Sequence, residues 1–136
     1  MSSISTIALS GMNAAARRLE VSASNVANVT STGALPNADG TVPAGAPRAY
    51  APLELVQTAS AGGGTQTTVT TATPSTTAVS DPQAPFANQN GLVVAPNVDL
   101  SQEMVGQMIA SYSFAANATV MKADDRMTET LLNITA

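Results

Sequence analysis

The sequence predicts a mainly α protein, with two long terminal helices in a coiled-coil-like pair and a small β-hairpin or extended region between them. Three observations lead there. Apolar residues recur at spacings of three and four near both chain ends. All eight prolines fall between Pro36 and Pro96. Nine of the 24 residues from Gln57 to Ser80 are Thr, and they surround the run Gly62-Gly63-Gly64.

The first helix is expected over residues 3–29. Ile4, Ala8, Met12, Ala15, Leu19, Ala23, Val26 and Val29 are spaced 4, 4, 3, 4, 4, 3 and 3 apart, close to the helical repeat. Arg17, Glu20 and Asn25 lie off that stripe. Ser2 or Ser3 supplies an N-cap, and Thr32-Gly33 followed by Pro36 supplies the stop. Gly11 costs the helix about 1 kcal/mol relative to Ala but admits a neighbouring backbone.

The second helix is expected over residues 99–134. Val105, Met108, Tyr112, Ala116, Val120, Ala123, Met127, Leu131 and Ile134 repeat at 3, 4, 4, 4, 3, 4, 4 and 3. Asn97 or Asp99 caps its start, and Glu103 sits where the helix dipole favours a negative charge. At 1.5 Å per residue the two helices span roughly 40 Å and 54 Å. Antiparallel packing would bring Ile4, Ala8 and Met12 near Met127, Leu131 and Ile134. At the other end it would bring Leu19, Ala23 and Val26 near Val105, Met108 and Tyr112.

The centre, 34–98, cannot be one long helix, because proline removes a donor and clashes with the preceding turn. Tyr50–Val56 and Thr65–Ala72 suit strands around the glycine turn, and Asn90-Gly91 before Leu92-Val93-Val94 is a second turn-then-strand signal. A loop that orders only on assembly is the alternative. The organisation is therefore an N-terminal helix and turn (1–33), a central region (34–98) and a C-terminal helix (99–136).

Composition narrows the function. The chain has no His and no Cys, and Lys122 is its only Lys. Most acid–base, nucleophilic and metal chemistry draws on those residues. Neither an enzyme nor a cofactor is expected. A net charge of −4 disfavours a nucleic-acid partner, which needs a basic face. No small-molecule substrate is indicated either. Aromatic residues make up 3% of the 136 and charged residues 10%, so core material and surface charge are both scarce. Such a chain buries surface against partners, as an obligate oligomer does. The first sixteen residues carry no charged side chain and Arg17-Arg18 follow the apolar stretch, so no cleavable signal is expected.

The chemical motifs have plain readings. Asp124-Asp125 is the one adjacent carboxylate pair, but consecutive helix positions diverge by about 100°. With Lys122, Arg126 and Glu129 it reads as a solvated charged face. Asp81, Asn88 and Asn90 form a loose set of oxygen ligands whose spacing matches no calcium loop, and no metal is expected.

The specific signal is a combination at the two ends. The stretch from Ser10-Gly11-Met12-Asn13 to Ser24-Asn25-Val26-Ala27-Asn28, closed by Thr32-Gly33, resembles the signature of flagellar rod and hook axial proteins. Asp81-Pro82, then Ala87, Gly91 and Val93, then Pro96-Asn97-Val98-Asp99 and Glu103-Met104-Val105, is similar to the proximal rod proteins of that family. Asn117, Val120, Met127, Leu131 and Ile134 continue the pattern. Tyr112-Ser113-Phe114-Ala115-Ala116-Asn117 departs from the family's usual Arg/Asn-Ser-Tyr-x-x-Asn, and the centre is richer in Thr and Gly.

The resemblance implies one rod domain, built from the three segments, in the periplasmic basal-body rod. Its implied partners are copies of itself (a homo-oligomer), other flagellar rod proteins and the flagellar type III export apparatus. The apolar stripes, Ile4 to Val26 and Val105 to Ile134, would be the interface, with Ser24, Asn25, Ala27, Asn28, Asn97, Val98, Asp99, Glu103 and Met104 as family motif positions. Asn25 and Asn28 could equally terminate the helix or bond an adjacent subunit. A second reading is a secreted or granule-associated helical binding module, which would carry the same helices without the paired terminal motifs.

Overall fold

A computed structural model describes residues 3–37 and 39–135. Its elements, in chain order, are α1 (Ser3–Ala27), β1 (Leu53–Ala59), β2 (Thr65–Thr71), β3 (Thr76–Ser80), β4 (Leu92–Pro96) and α2 (Leu100–Thr135). Both expected helices are present within two residues of their expected ends. By sequence alone Ser2 was one choice of N-cap for α1; it lies outside the described residues. α1 stops where Asn28 Nδ2 turns back to donate to Ser24 O at 2.9 Å, satisfying a carbonyl the helix leaves open. Asp99 caps α2 by accepting from the backbone N–H groups of Ser101 (2.8 Å) and Gln102 (3.2 Å).

The centre holds two small antiparallel sheets, β1-β2 and β3-β4, where one hairpin was expected. The fold is therefore mixed, with two long terminal helices and a β centre. The first strand begins at Leu53 rather than Tyr50. Pro52 has no N–H to give a ladder, and its carbonyl instead accepts from Ala72 N at 2.8 Å to close the hairpin base. β3 was not expected, since its Thr-Thr-Ala-Val-Ser matches the loop composition around it. It becomes a strand because Val93 and Val94 of β4 present a ladder to pair with, Thr76 lying opposite Pro96 and Ser80 opposite Leu92.

The chain forms two compact units. Among the described residues, one comprises 3–22, 55–69 and 104–135, and the other 23–37, 39–54 and 70–103. In the first, the buried apolar residues are Ala8, Ala14, Ala15, Val21 and Ala110. In the second they are Ala34, Val93 and Val94, with Pro52 and Pro96 also buried. Among the described residues the largest side chain that is fully enclosed is Val93. Cores built of Ala and Val contribute little buried area per residue, as the scarcity of aromatic residues foretold.

In the second unit the Thr32-Gly33 turn docks on β4. Gly33 N donates to Val94 O at 2.8 Å and Val94 N to Gly33 O at 2.9 Å, while Ala34 N donates to Pro47 O. A Cβ on Gly33 would stand 2.1 Å from Ala49 N, so the motif's glycine is required by close backbone approach.

Candidate assembly surface

In the first unit α1 and α2 run antiparallel. Ser5 Oγ donates to Asp124 Oδ2, and Gln107 Nε2 donates to Ser22 Oγ at 3.1 Å. Between them, a Cβ on Gly11 would stand 2.6 Å from Asn117 Oδ1, which shows how closely the backbone of α1 meets that side chain. The seam on α2 runs through Gln107, Ala110, Phe114, Asn117, Met121 and Asp124, spaced 3, 4, 3, 4 and 3 apart. On α1 it runs through Ser5, Ala8, Gly11, Ala15 and Ser22. The α2 positions follow a heptad, and apart from Phe114 and Met121 the seam residues are small or polar. Ala8 and Ala110 are almost completely enclosed, as are Ser22 and Asn25.

The apolar stripe expected to form this contact lies elsewhere on α2. Val105, Met108, Tyr112, Ala116, Val120, Ala123, Met127, Leu131 and Ile134 are all exposed, Tyr112 at 77%. On α1, Ala8 and Ala15 are buried, Met12 and Val26 half-buried, and Ile4, Leu19 and Ala23 exposed. The antiparallel direction is as expected, and at the Ser22 end the alignment lies within about two residues of the expected one, but at the Ser5 end it is displaced by about ten. Ala8 falls between the Ser5–Asp124 and Gly11–Asn117 contacts, not beside Leu131. Apolarity alone singles out that stripe, whereas the chain closes its own pair with hydrogen bonds and alanines.

Asp124 is the clearest correction. It reads as part of a solvated face beside Asp125, yet it is 6% exposed and takes the Ser5 hydroxyl, while Asp125 is exposed. Charge runs suggest solvent; only the seam's heptad phase marks Asp124 as inward. Of the other charges, Arg17 pairs with Glu20 at 2.8 Å in the open, and Arg18 reaches Gln57 at 3.3 Å.

The turn of the β1-β2 hairpin also sits in the first unit, on the motif residue Ser10. Thr65 N donates to Ser10 Oγ at 3.1 Å, and that hydroxyl donates to Ile7 O at 2.7 Å. Elsewhere along the helix pair, Ala15, Ala16 and Leu19 of α1 and Ala110, Ser111 and Phe114 of α2 line an open apolar groove of about 260 Å³.

In the second unit the motif asparagine is a junction. Asn25 Nδ2 donates to Leu53 O (2.9 Å) and Glu103 Oε1 (2.6 Å), and Asn25 Oδ1 accepts from Leu53 N (2.9 Å) and Tyr50 Oη (3.1 Å). Both donors and both acceptor sites of the amide are used, as burial of such a group requires. Ser24 Oγ lies 2.9 Å from Tyr50 Oη. The sequence does not mark Tyr50 as a functional residue, because a lone aromatic in a proline-rich segment carries no periodic signal. Of the remaining motif positions, Asn97 donates to Pro74 O at 3.1 Å, Val98 is half-buried, Ala27 is exposed, and Met104 is exposed. Asn88 Oδ1 accepts from the backbone N–H groups of Asn90 and Leu92, both at 2.9 Å, so the oxygen considered for a cation builds the turn before β4.

Comparisons with known proteins agree with both ends of this architecture. The family model described as "Flagella basal body rod protein" matches residues 6–34, and that described as "Flagellar basal body rod FlgEFG protein C-terminal" matches residues 89–134. The chain is 36% identical over 115 residues to the flagellar basal-body rod protein FlgC of Salmonella typhimurium, covering 85% of this chain and 83% of that one. It is 31% identical over 131 residues to FlgC of Buchnera aphidicola, covering 96% and 95%. A shorter match, 40% over 45 residues, links it to the flagellar hook protein FlgE of Escherichia coli, covering 33% of this chain and 11% of that one.

Proposed function

The chain belongs to the FlgC family of flagellar basal-body rod proteins, and on that premise we propose that the outward apolar face of α2 is its assembly surface. It is a structural subunit of the flagellar basal-body rod. The observation that carries the proposal is that the strongest apolar repeat in the sequence, Val105 to Ile134, stays in solvent while polar and small residues hold α1 against α2. A contiguous exposed apolar surface of that kind marks a protein contact. Copies of this chain and other rod proteins cover it, with the groove beside Leu19 and Phe114 receiving a neighbouring side chain. The assembled rod transmits torque from motor to hook.

The chain reaches that site by the flagellar type III export apparatus. A disulfide-free chain with an Ala and Val core suits passage in an unfolded state. The role is structural and not enzymatic, since the residues that carry most catalysis are lacking in the sequence. The reading as a separate helical binding module gains no support from relatives that are rod and hook proteins.

The test is Met108→Asp with Tyr112→Asp, expressed in cells lacking their own copy of this subunit. Both residues are exposed, so the purified variant should keep the parent's circular dichroism. Isolated basal bodies should lack the subunit and the cells should not swim. Normal incorporation of a correctly folded variant would sink the proposal.

A further inference from the structure

At the Ser5 end of this helix pair the sequence offers a second register, in which large apolar residues of α1 and α2 would face one another. Matching large apolar residues would set Ile4 against Ile134, Ala8 against Leu131 and Met12 against Met127. The observed register, fixed by Ser5 with Asp124 and Ser22 with Gln107, is displaced by ten residues at that end, roughly 15 Å along the helix. We propose that Asp124 and Gln107 are register-setting residues, which hold α2 against α1 at the one alignment where each meets a hydroxyl.

Apart from the close approach of Gly11 to Asn117, little else in the seam discriminates between alignments. Heptad spacing lets two helix surfaces mesh again after sliding. Alanines such as Ala8, Ala15 and Ala110 fit opposite almost any residue. Sliding to the apolar register would lay Asp124 against Ala15, an enclosed apolar position, and would take Gln107 past the end of α1. A carboxylate moved into apolar surroundings is heavily disfavoured. At the observed alignment it instead meets the Ser5 hydroxyl, and Gln107 meets Ser22. The same choice keeps Met127 and Ile134 out of the intrachain seam, where they remain exposed.

The chain has no cysteine, so register can be read by cross-linking the full-length protein at high dilution. Ala8→Cys with Met121→Cys reports the observed register, and Ala8→Cys with Leu131→Cys reports the apolar one, since a disulfide needs Cα atoms within about 7 Å. In the parent the first pair should oxidise faster by about tenfold or more, the ratio set by one hydrogen bond to a charged group. Adding Asp124→Leu and Gln107→Leu should bring the two rates to within about twofold or reverse them, because the apolar alignment then meets no buried polar group. Asp124→Asn, which still accepts from Ser5, should keep the parent's preference. Should the Leu variant lose its helical circular dichroism, Ser5→Ala with Ser22→Ala removes the same two contacts from α1 and must narrow the ratio likewise. A preference unchanged in every folded variant overturns the proposal, as would equal rates in the parent.

Discussion

Asn25 and Leu53 exchange two hydrogen bonds as though they were paired strand residues. Asn25 Nδ2 donates to Leu53 O and Leu53 N donates to Asn25 Oδ1, each at 2.9 Å. A side-chain amide on α1 thus supplies the backbone partner for the first residue of β1. Asn25→Ala should strand the half-buried N–H and C=O of Leu53, each costing up to about 1–3 kcal/mol. Urea unfolding should show the lower midpoint, and the Leu53 amide should exchange with solvent faster than its β1 neighbours. An unchanged Leu53 exchange rate would count against the junction.

Gly33→Ala should destabilise the second unit. The new Cβ meets backbone on Ala49 and Pro47, which cannot swing aside as a side chain can. Overpacking of this kind costs about 1–3 kcal/mol or more. Gly62→Ala is the control, since a Cβ there meets nothing within 4 Å. Thermal melts should separate the two variants clearly.

Gly11→Ala sets two effects against each other. Alanine gains about 1 kcal/mol of helix propensity, but its Cβ would stand 2.6 Å from the Asn117 side chain. Asn117 itself is folded back to donate to Ser113 O at 2.8 Å. Combining Gly11→Ala with Asn117→Ala should therefore be more stable than the sum of the single changes. A double-mutant cycle measures the difference, expected to be about 0.5–3 kcal/mol for residues in contact.

Asp124→Ala and Asp125→Ala should part company. Asp125 is exposed and should stay within about ±0.5 kcal/mol. Removing the enclosed Asp124 carboxylate leaves the Ser5 hydroxyl without that acceptor, for a loss of about 1–3 kcal/mol. Equal unfolding midpoints for the two variants would return Asp124 to the solvated face.

Asp39 should titrate below its ordinary value of 3.8, because the Thr41 hydroxyl and then the Thr41 backbone N–H bond its carboxylate. A depressed value means that these bonds contribute fully above pH 3.8 and are lost as pH falls through the lower, folded value. Thr41→Val should raise the Asp39 midpoint toward 3.8 in an NMR titration of its carboxyl carbon.

The sequence by itself determined the two terminal helices, their antiparallel pairing and the turn before Leu92. Those features rest on local signals: an apolar repeat, a proline-free run, a cap such as Asp99 and a turn dipeptide such as Asn90-Gly91. It also pointed to the family, through motifs concentrated at the two ends. Only the tertiary structure decided which face of α2 turns inward. Periodicity finds an apolar stripe but does not say whether the chain or a neighbour will cover it. Here Ser5, Ser22, Gln107 and Asp124 close the intrachain seam and leave Met108 and Tyr112 outside. β3 was likewise decided by pairing, since Thr76–Ser80 resembles a loop until Leu92–Pro96 lies beside it. Asn25 shows the same division. Its place near the end of α1 is legible, but its four hydrogen bonds join residues 25, 28 and 78 positions apart, distances over which no local pattern carries information.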